Sequence, residues 1–473
     1  MSVTLPSPTL PSPILPSPAL PAFVESVSAA GDLPPVGPPG FSTAQVHAGV
    51  LPDPGHGARV APVHLGAGFV FADFDEAAAR FAGETGEDEG YVYTRMGNPT
   101  TAALERRVAA LEGGAEAVAV GSGQAAISTA LLGLLRSGDH LVAADSLYEG
   151  SRGLFRENFA RFGIEVDLVR DARDPRAWRD AVRPTTRAFF AESIPNPRND
   201  VLDVRLVADA AHAAGVPLVV DNTLATPYLL RPLEHGADVV VHSASKFLSG
   251  HGGALGGVVV TAAGALPGTV ANLEEQTAVL GGASYAQRYG ERAYPGYLRA
   301  LAARLGPTLA PFNSFLLQQG IETLSLRMAR QSASALEIAS WLEARAEVDR
   351  VDYAGLASSP SHALARRYLP RGAGAVLAVS LRGGRPAARA FLDALQLFSR
   401  MTHLGDVRSL ALHPASTTHA HRDPVELAAD GIGPGVLRLS IGVEDVPDLL
   451  ADLRLGLAAA RAATPVSATG VAR

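Results

Sequence analysis

From about Gly97 onward, short apolar strands alternate with helices, and this alternation restricts the chain to few architectures. The segment "TTAALERRVAALEGG" (100–114) spaces its apolar residues as a helix does and ends in glycine. "AEAVAV" then reads as a strand, "GSGQAAISTALLGLLRSG" as a turn and helix, and "DHLVAA" as another strand. "IEVDLV", "TRAFFAE", "VPLVVD" and "ADVVVHS" are further strands, with the helix "RLVADAAHAAG" (205–215) between two of them. Strands separated by helices pair in parallel and are covered on both faces. The expected fold is therefore α/β, a mainly parallel sheet flanked by helices. Ligands of such sheets sit at the carboxyl ends of the strands, which places Ser122, Glu192, Asp221 and Ser243 along one edge. After about residue 300 the chain becomes more helical. "AVLAVSL", "ALHPAS" and "VLRLSIG" read there as strands of a smaller C-terminal α+β domain.

The first 40 residues follow other rules. "LPSPTLPSPILPSPALP" is an imperfect five-residue repeat, and proline at this density favours an extended, solvated chain. A disordered tail without a catalytic role is expected over 1–40. It has no basic region followed by an unbroken apolar core, so it makes a poor signal peptide. The chain has 473 residues, 47% hydrophobic and 18% charged, which is enough to bury a large core. A net charge of −7 without long runs of either sign argues against a nucleic-acid or membrane surface. No apolar run is long enough to span a bilayer. With Cys 0 there are no disulfides and no thiolate nucleophiles, and the 13 histidines form no HExxH pairing, so no metal is expected. A cytoplasmic protein fits these features best.

Of the 40 basic residues only one is lysine, Lys246, in "VVHSASKFLSGHGG". A lysine amine can lose its proton and attack a carbonyl, whereas a guanidinium stays charged. A chance survivor on a solvated surface is the alternative. The flanks oppose it, because a buried strand precedes Lys246 and a Gly/Ser-rich loop follows it. Asp221 ends the strand "VPLVVD", in a partly dry place where a carboxylate needs a cationic partner; a turn or capping aspartate is its plainer reading. "AVAVGSGQAAI" is strand, glycine turn and helix, and its amides suit a phosphate. It also matches the dinucleotide pattern GxGxxA, weakly. A phosphate cradle, a strand-end aspartate and a reactive lysine together suit pyridoxal 5'-phosphate. The lysine would hold the aldehyde, and the aspartate would keep the ring nitrogen protonated.

The residues "YTRMGNPT", "GSGQAA", "ESIPNPRNDVLD", "VVDNTLATPYLLRPLEHGADVVVHSASKFLSGHGG", "HPASTTH" and "VLRLSIGVED" resemble the Cys/Met-metabolism family of pyridoxal-phosphate enzymes, of fold type I. The resemblance covers about 41–462 and is strongest toward the O-acetylhomoserine sulfhydrylase branch. It implies that Lys246 carries the cofactor and then shuttles protons, and that Asp221 partners the ring nitrogen. Gly123, Gln124, Ser243 and Ser245 would bind the phosphate. Tyr93 and Arg95 would reach the phosphate of a neighbouring subunit in a homotetramer built from two dimers. Tyr148 would stack on the ring and act as acid or base, Asn196 would approach its phenolic oxygen, and Arg438 would clamp the substrate carboxylate. The implied divisions are an arm over 41–96, a cofactor-binding domain over 97–300 and a C-terminal domain over 301–473.

The implied reaction is γ-replacement on an O-activated homoserine with sulfide or a thiol. Another nucleophile, cystathionine γ-synthase chemistry and γ-lyase chemistry are the alternatives. Three stretches depart from the branch: "HLGAGFVF" (64–71), His403 in "MTHLGD", and about 262–300. His403 stands where the family has a small polar residue near the substrate carboxylate. An imidazole there either serves the second substrate or is simply packed and hydrogen-bonded.

Overall fold

Twelve strands build two sheets in the computed structural model, which describes residues 39–50, 53, 56–82 and 90–464. The expected tail, but for its last two residues, lies outside the described residues. The first seven strands are β1 Glu116–Val120, β2 His140–Ala144, β3 Glu165–Val169, β4 Thr186–Glu192, β5 Leu218–Asp221, β6 Val239–Ser243 and β7 Gly257–Thr261. They form one sheet in the order β1-β7-β6-β5-β4-β2-β3. The pairings among β6, β5, β4, β2 and β3 are parallel, and β7 runs antiparallel to both its neighbours. Only β7 therefore opposes the common direction. Its reversal follows from its connection, since β6 and β7 are joined by the loop 244–256 without a crossover helix. Strands such as β2 and β7 are buried at every position, as expected of a sheet covered on both faces.

Two helices aim at the site. Pro99–Glu112 starts at Asn98, whose side chain accepts from the Thr100 amide, and stops at Gly113 in the left-handed region. Gly123–Leu134 starts at Ser122, whose hydroxyl accepts from the Ala125 amide at 3.1 Å. It packs against β6 and β7, and its start therefore lies at the carboxyl ends of the parallel strands.

The second sheet contains β8 Val348–Asp352, β9 Val376–Leu381, β10 Ser399–Arg400, β11 Leu410–Leu412 and β12 Val436–Ser440, in the order β10-β11-β12-β9-β8. The helices Gly384–Ala394 and Val446–Ala463 pack on each other and close its core around Phe391, Leu439 and Leu453. The strand expected over "ALHPAS" covers only Leu410–Leu412. Pro414 has no amide to donate to a ladder and opens a short 3₁₀ turn instead.

Candidate active site

The carboxyl ends of β4, β5 and β6 set Glu192, Asp221 and Ser243 side by side. Glu192 pairs in register with Asp221, and Asp221 with Val241. Thr223 braces this row: its amide donates to Asp221 Oδ1 at 2.9 Å, and its hydroxyl oxygen accepts from the Ser243 amide at 2.8 Å. Burial pushes the Asp221 carboxyl up, opposed by the Thr223 hydrogen bonds and by the charge of nearby His242. Glu192 is driven well above the ordinary carboxylate range, first by burial and then by the Asp221 charge. Two neighbouring buried carboxylates do not both ionise readily. The cationic partner expected for Asp221 is no arginine or lysine among the described residues; the one cationic influence on it is His242. A buried carboxylate lacking such a partner fits a protonated ring nitrogen.

Behind this row lies a fully buried cluster. Glu112 Oε1 accepts from His242 Nε2 at 2.6 Å and from Asn222 Nδ2 at 2.9 Å, and all three residues are 0% exposed. Asn222 follows Asp221 and His242 precedes Ser243, so one carboxylate from the helix Pro99–Glu112 ties two strand ends together.

On the adjoining side Gly123 packs against Ser243. A Cβ at Gly123 would stand 2.5 Å from the Ser243 Cβ, so only glycine lets this helix start lie against β6. Gln124 Nε2 and the Tyr148 ring both border Gly150. The Tyr148 amide donates to Glu192 Oε1 at 2.6 Å while its ring stays 44% exposed. Ser245 is differently engaged: its hydroxyl donates to the Gly256 carbonyl at 3.2 Å and accepts from the Gly256 amide at 3.0 Å.

Lys246 follows, tied back by its amide to the Ser243 carbonyl at 3.1 Å. Burial, then the Arg438 charge, lower its ammonium to about 8. Its Nζ lies 3.2 Å from His403 Nδ1. The loop carrying His403 reaches this far in because Gly405, at φ +78, presses on the lysine backbone; a Cβ there would meet Phe247 N at 2.7 Å and Lys246 C at 3.0 Å. Arg438, on β12, is buried and donates to the Thr402 and His403 carbonyls at 2.9 Å each and to Asn196 Oδ1 at 3.3 Å. Its partners are all neutral, and its Nε is buried with no partner among the described residues. Burial lowers its pKa to about 10. A buried guanidinium held by carbonyls alone is ready for an anion.

Ten of the twelve residues singled out from the sequence, Lys246, Tyr148, Asp221, Gly123, Gln124, Ser243, Ser245, Asn196, Arg438 and His403, thus lie around these strand ends. Tyr93 and Arg95 do not. Tyr93 bridges to Gly68 and is 44% exposed; Arg95 stacks over its ring at 5.5 Å and donates to the Ala303 carbonyl. Sequence reasoning placed Glu192 along the ligand edge without naming its role, and passed over Thr223 and Glu112. The signal for Glu192 was there, since it ends the strand that neighbours the Asp221 strand.

The residues present suit pyridoxal 5'-phosphate, with a lysine amine, a buried carboxylate lacking a cation and a glycine-tight helix start in one place. Comparisons with known proteins agree. The family model described as "Cys/Met metabolism PLP-dependent enzyme" matches residues 42–458. The chain is 43% identical to an O-acetyl-L-homoserine sulfhydrylase of Corynebacterium glutamicum, over 89% of this chain and 97% of that one. It is 42% identical to an O-succinylhomoserine sulfhydrylase of Pseudomonas aeruginosa, over 89% and 95%. A crystal structure described as a putative O-acetylhomoserine (thiol)-lyase from Campylobacter jejuni, carrying pyridoxyl-lysine monophosphate, superposes with a TM-score of 0.83 at 32% identity, over 88% of this chain and 99% of that one. The chain belongs to the Cys/Met-metabolism family of pyridoxal-phosphate-dependent enzymes.

Proposed function

We propose that the protein catalyses γ-replacement on an O-acylated homoserine, releasing the acyl group as a carboxylate and adding sulfide or a small thiol to give homocysteine or its thioether. The observation that carries this reading is Arg438: a buried cation with only neutral partners, beside the amine of Lys246. Such a pair receives an amino acid by its carboxylate and leaves the side chain free to react. When bound, pyridoxal 5'-phosphate supplies an electron sink that weakens bonds near the substrate amino group.

The chain's own residues do the rest. Lys246 would hold the cofactor and, with its ammonium lowered to about 8, move protons between substrate carbons. Asp221 keeps the ring nitrogen protonated. Gly123, Gln124, Ser243 and Ser245 receive the phosphate, with Ser245 turning from Gly256 to do so. Tyr148 covers the ring, held at its amide by Glu192. Asn196, which accepts from Arg438 at 3.3 Å, would approach the ring's phenolic oxygen.

Residues 41–96 act as an arm toward a second copy, whose phosphate Tyr93 and Arg95 contact, within a cytoplasmic homotetramer. Exposed apolar side chains on that arm, Val70 at 92% and Phe74 at 84%, support a covering partner. The folded region divides near residue 300 into cofactor-binding and C-terminal domains.

The test is to incubate the holoenzyme with O-acetyl-L-homoserine, then with O-succinyl-L-homoserine, each with sulfide, and to measure homocysteine and free carboxylate. Equal release of both products supports the proposal. A 2-oxo acid and ammonia as the main products, with no homocysteine, would make it an elimination enzyme.

A further inference from the structure

Lys246 and His403 lie 157 positions apart in the chain, yet their side chains meet at 3.2 Å. The imidazole touches the lysine through Nδ1. Its other nitrogen, Nε2, is buried with no hydrogen-bond partner among the described residues. Beside Nε2 lies Gly252, exposed and without a side chain; a Cβ there would stand 3.8 Å from Nε2. One nitrogen therefore faces the reactive amine, and the other is buried and unpartnered beside an exposed glycine.

The groups that set the charge of this ring are Lys246, Arg438 and Asp406. Burial first, then the Lys246 charge, lower its pKa to about 4; Asp406 opposes them, and Arg438 adds a smaller lowering. The ring is neutral at working pH and carries one N–H and one lone pair. Against the Lys246 ammonium, which can only donate, Nδ1 must accept, so Nε2 bears the hydrogen. Against the neutral amine, Nδ1 can donate, and Nε2 becomes the acceptor. The protonation state of Lys246 thus selects the tautomer of His403.

From this geometry we infer that His403 relays a proton from the incoming nucleophile to Lys246 without itself becoming charged. The inference rests on the γ-replacement reading and assigns the nucleophile a class, namely a small S–H acid such as hydrogen sulfide or a thiol. In the step, Nε2 takes the sulfur-bound proton while the Nδ1 proton passes to the free Lys246 amine. One S–H bond and one N–H bond break, and two N–H bonds form. The sulfur is left as a thiolate and Lys246 as an ammonium, so charge balances. Lys246 then holds the proton for return to a substrate carbon. Donor binding does not use this path, because Arg438 meets the donor through its guanidinium and contacts only the carbonyl of His403.

The experiment has two arms. In the holoenzyme, the rate of carboxylate release from O-acetyl-L-homoserine without acceptor is compared with kcat/KM for methanethiol, in wild type and in His403→Asn. The relay requires the acceptor term to fall at least about ten-fold more than the donor term. The gap must narrow as pH rises toward the thiol's own ionisation, because a preformed thiolate needs no relay. Equal losses in both terms, or a gap independent of pH, overturn the relay.

The second arm needs no turnover. Lys246 is the only lysine, so ε-amine acylation of the full chain stripped of cofactor reports on it alone. In His403→Phe the pH midpoint of labelling should drop below the wild-type value of about 8, because the ammonium loses its acceptor. An unchanged midpoint shows that the contact does not form and sinks the inference. A wild-type enzyme that releases no carboxylate overturns the γ-replacement reading, and the acceptor role with it. The labelling arm would then still report the Lys246–His403 pair by itself.

Discussion

Lys246 carries a proton that leaves at about 8, lowered first by burial and then by the charge of Arg438. An ordinary lysine releases it near 10.5. Attack on an aldehyde needs the neutral amine, and the fraction of neutral amine rises with pH. Cofactor-free enzyme is therefore expected to capture pyridoxal 5'-phosphate at a rate that climbs with pH and levels off above about 8. Stopped-flow absorbance measures it, and a rate still climbing steeply at pH 10 would contradict the burial argument. At this scale the legible residues were those whose chemical type is itself informative. Lys246 stood out as a lone lysine among arginines, and Asp221 as a carboxylate closing an apolar strand. Thr223 carried no such mark, and Glu192, which closes "TRAFFAE" as Asp221 closes its strand, was placed at the edge without a role. Thr223 acts through its own amide and by accepting the Ser243 amide, and Glu192 through the Tyr148 amide. Such contacts depend on which strands are neighbours, and residue type does not reveal that.

The helix Pro99–Glu112 matters to the site through its last residue. Glu112 ends the helix against β5 and β6, where its carboxylate joins His242 and Asn222 out of reach of water. Removing one partner of a buried pair leaves the other uncompensated, which costs about 3–5 kcal/mol. Glu112→Ala should lose stability on that order in urea unfolding and bind cofactor more weakly, because Asp221 and Ser243 flank the cluster. A loss under about 1 kcal/mol with normal cofactor affinity would show that the clamp is not needed. The helix itself was readable from the spacing of its apolar residues and the glycine that ends it, both local signals. Strand β7 and its direction were not read from the sequence. "GVVVT" is apolar throughout, as a buried strand of either direction would be, and only the connection from β6 decides. The shortfall in "ALHPAS" has a local cause that was in view, the missing amide of Pro414.

Taken as a whole molecule, the chain leaves apolar side chains exposed in the region proposed as its arm. Val70, Phe74 and Phe81 are largely exposed, and Arg95 turns to Tyr93 and Ala303. If the arm completes a neighbour's site, mixing inactive Arg95→Ala chains with inactive Lys246→Ala chains should restore part of the activity. Each hybrid dimer then holds one site with both residues intact. Hybrids that form but stay inactive would place Tyr93 and Arg95 outside the reaction. The central claim, that one lysine carries the cofactor and the chemistry, is tested most directly by borohydride reduction of the holoenzyme followed by peptide mass spectrometry. The account expects the phosphopyridoxyl mass on the peptide containing Lys246, rising in step with the loss of homocysteine formation. An inactivated enzyme whose Lys246 peptide is unmodified, or a label on the amino terminus instead, would contradict it.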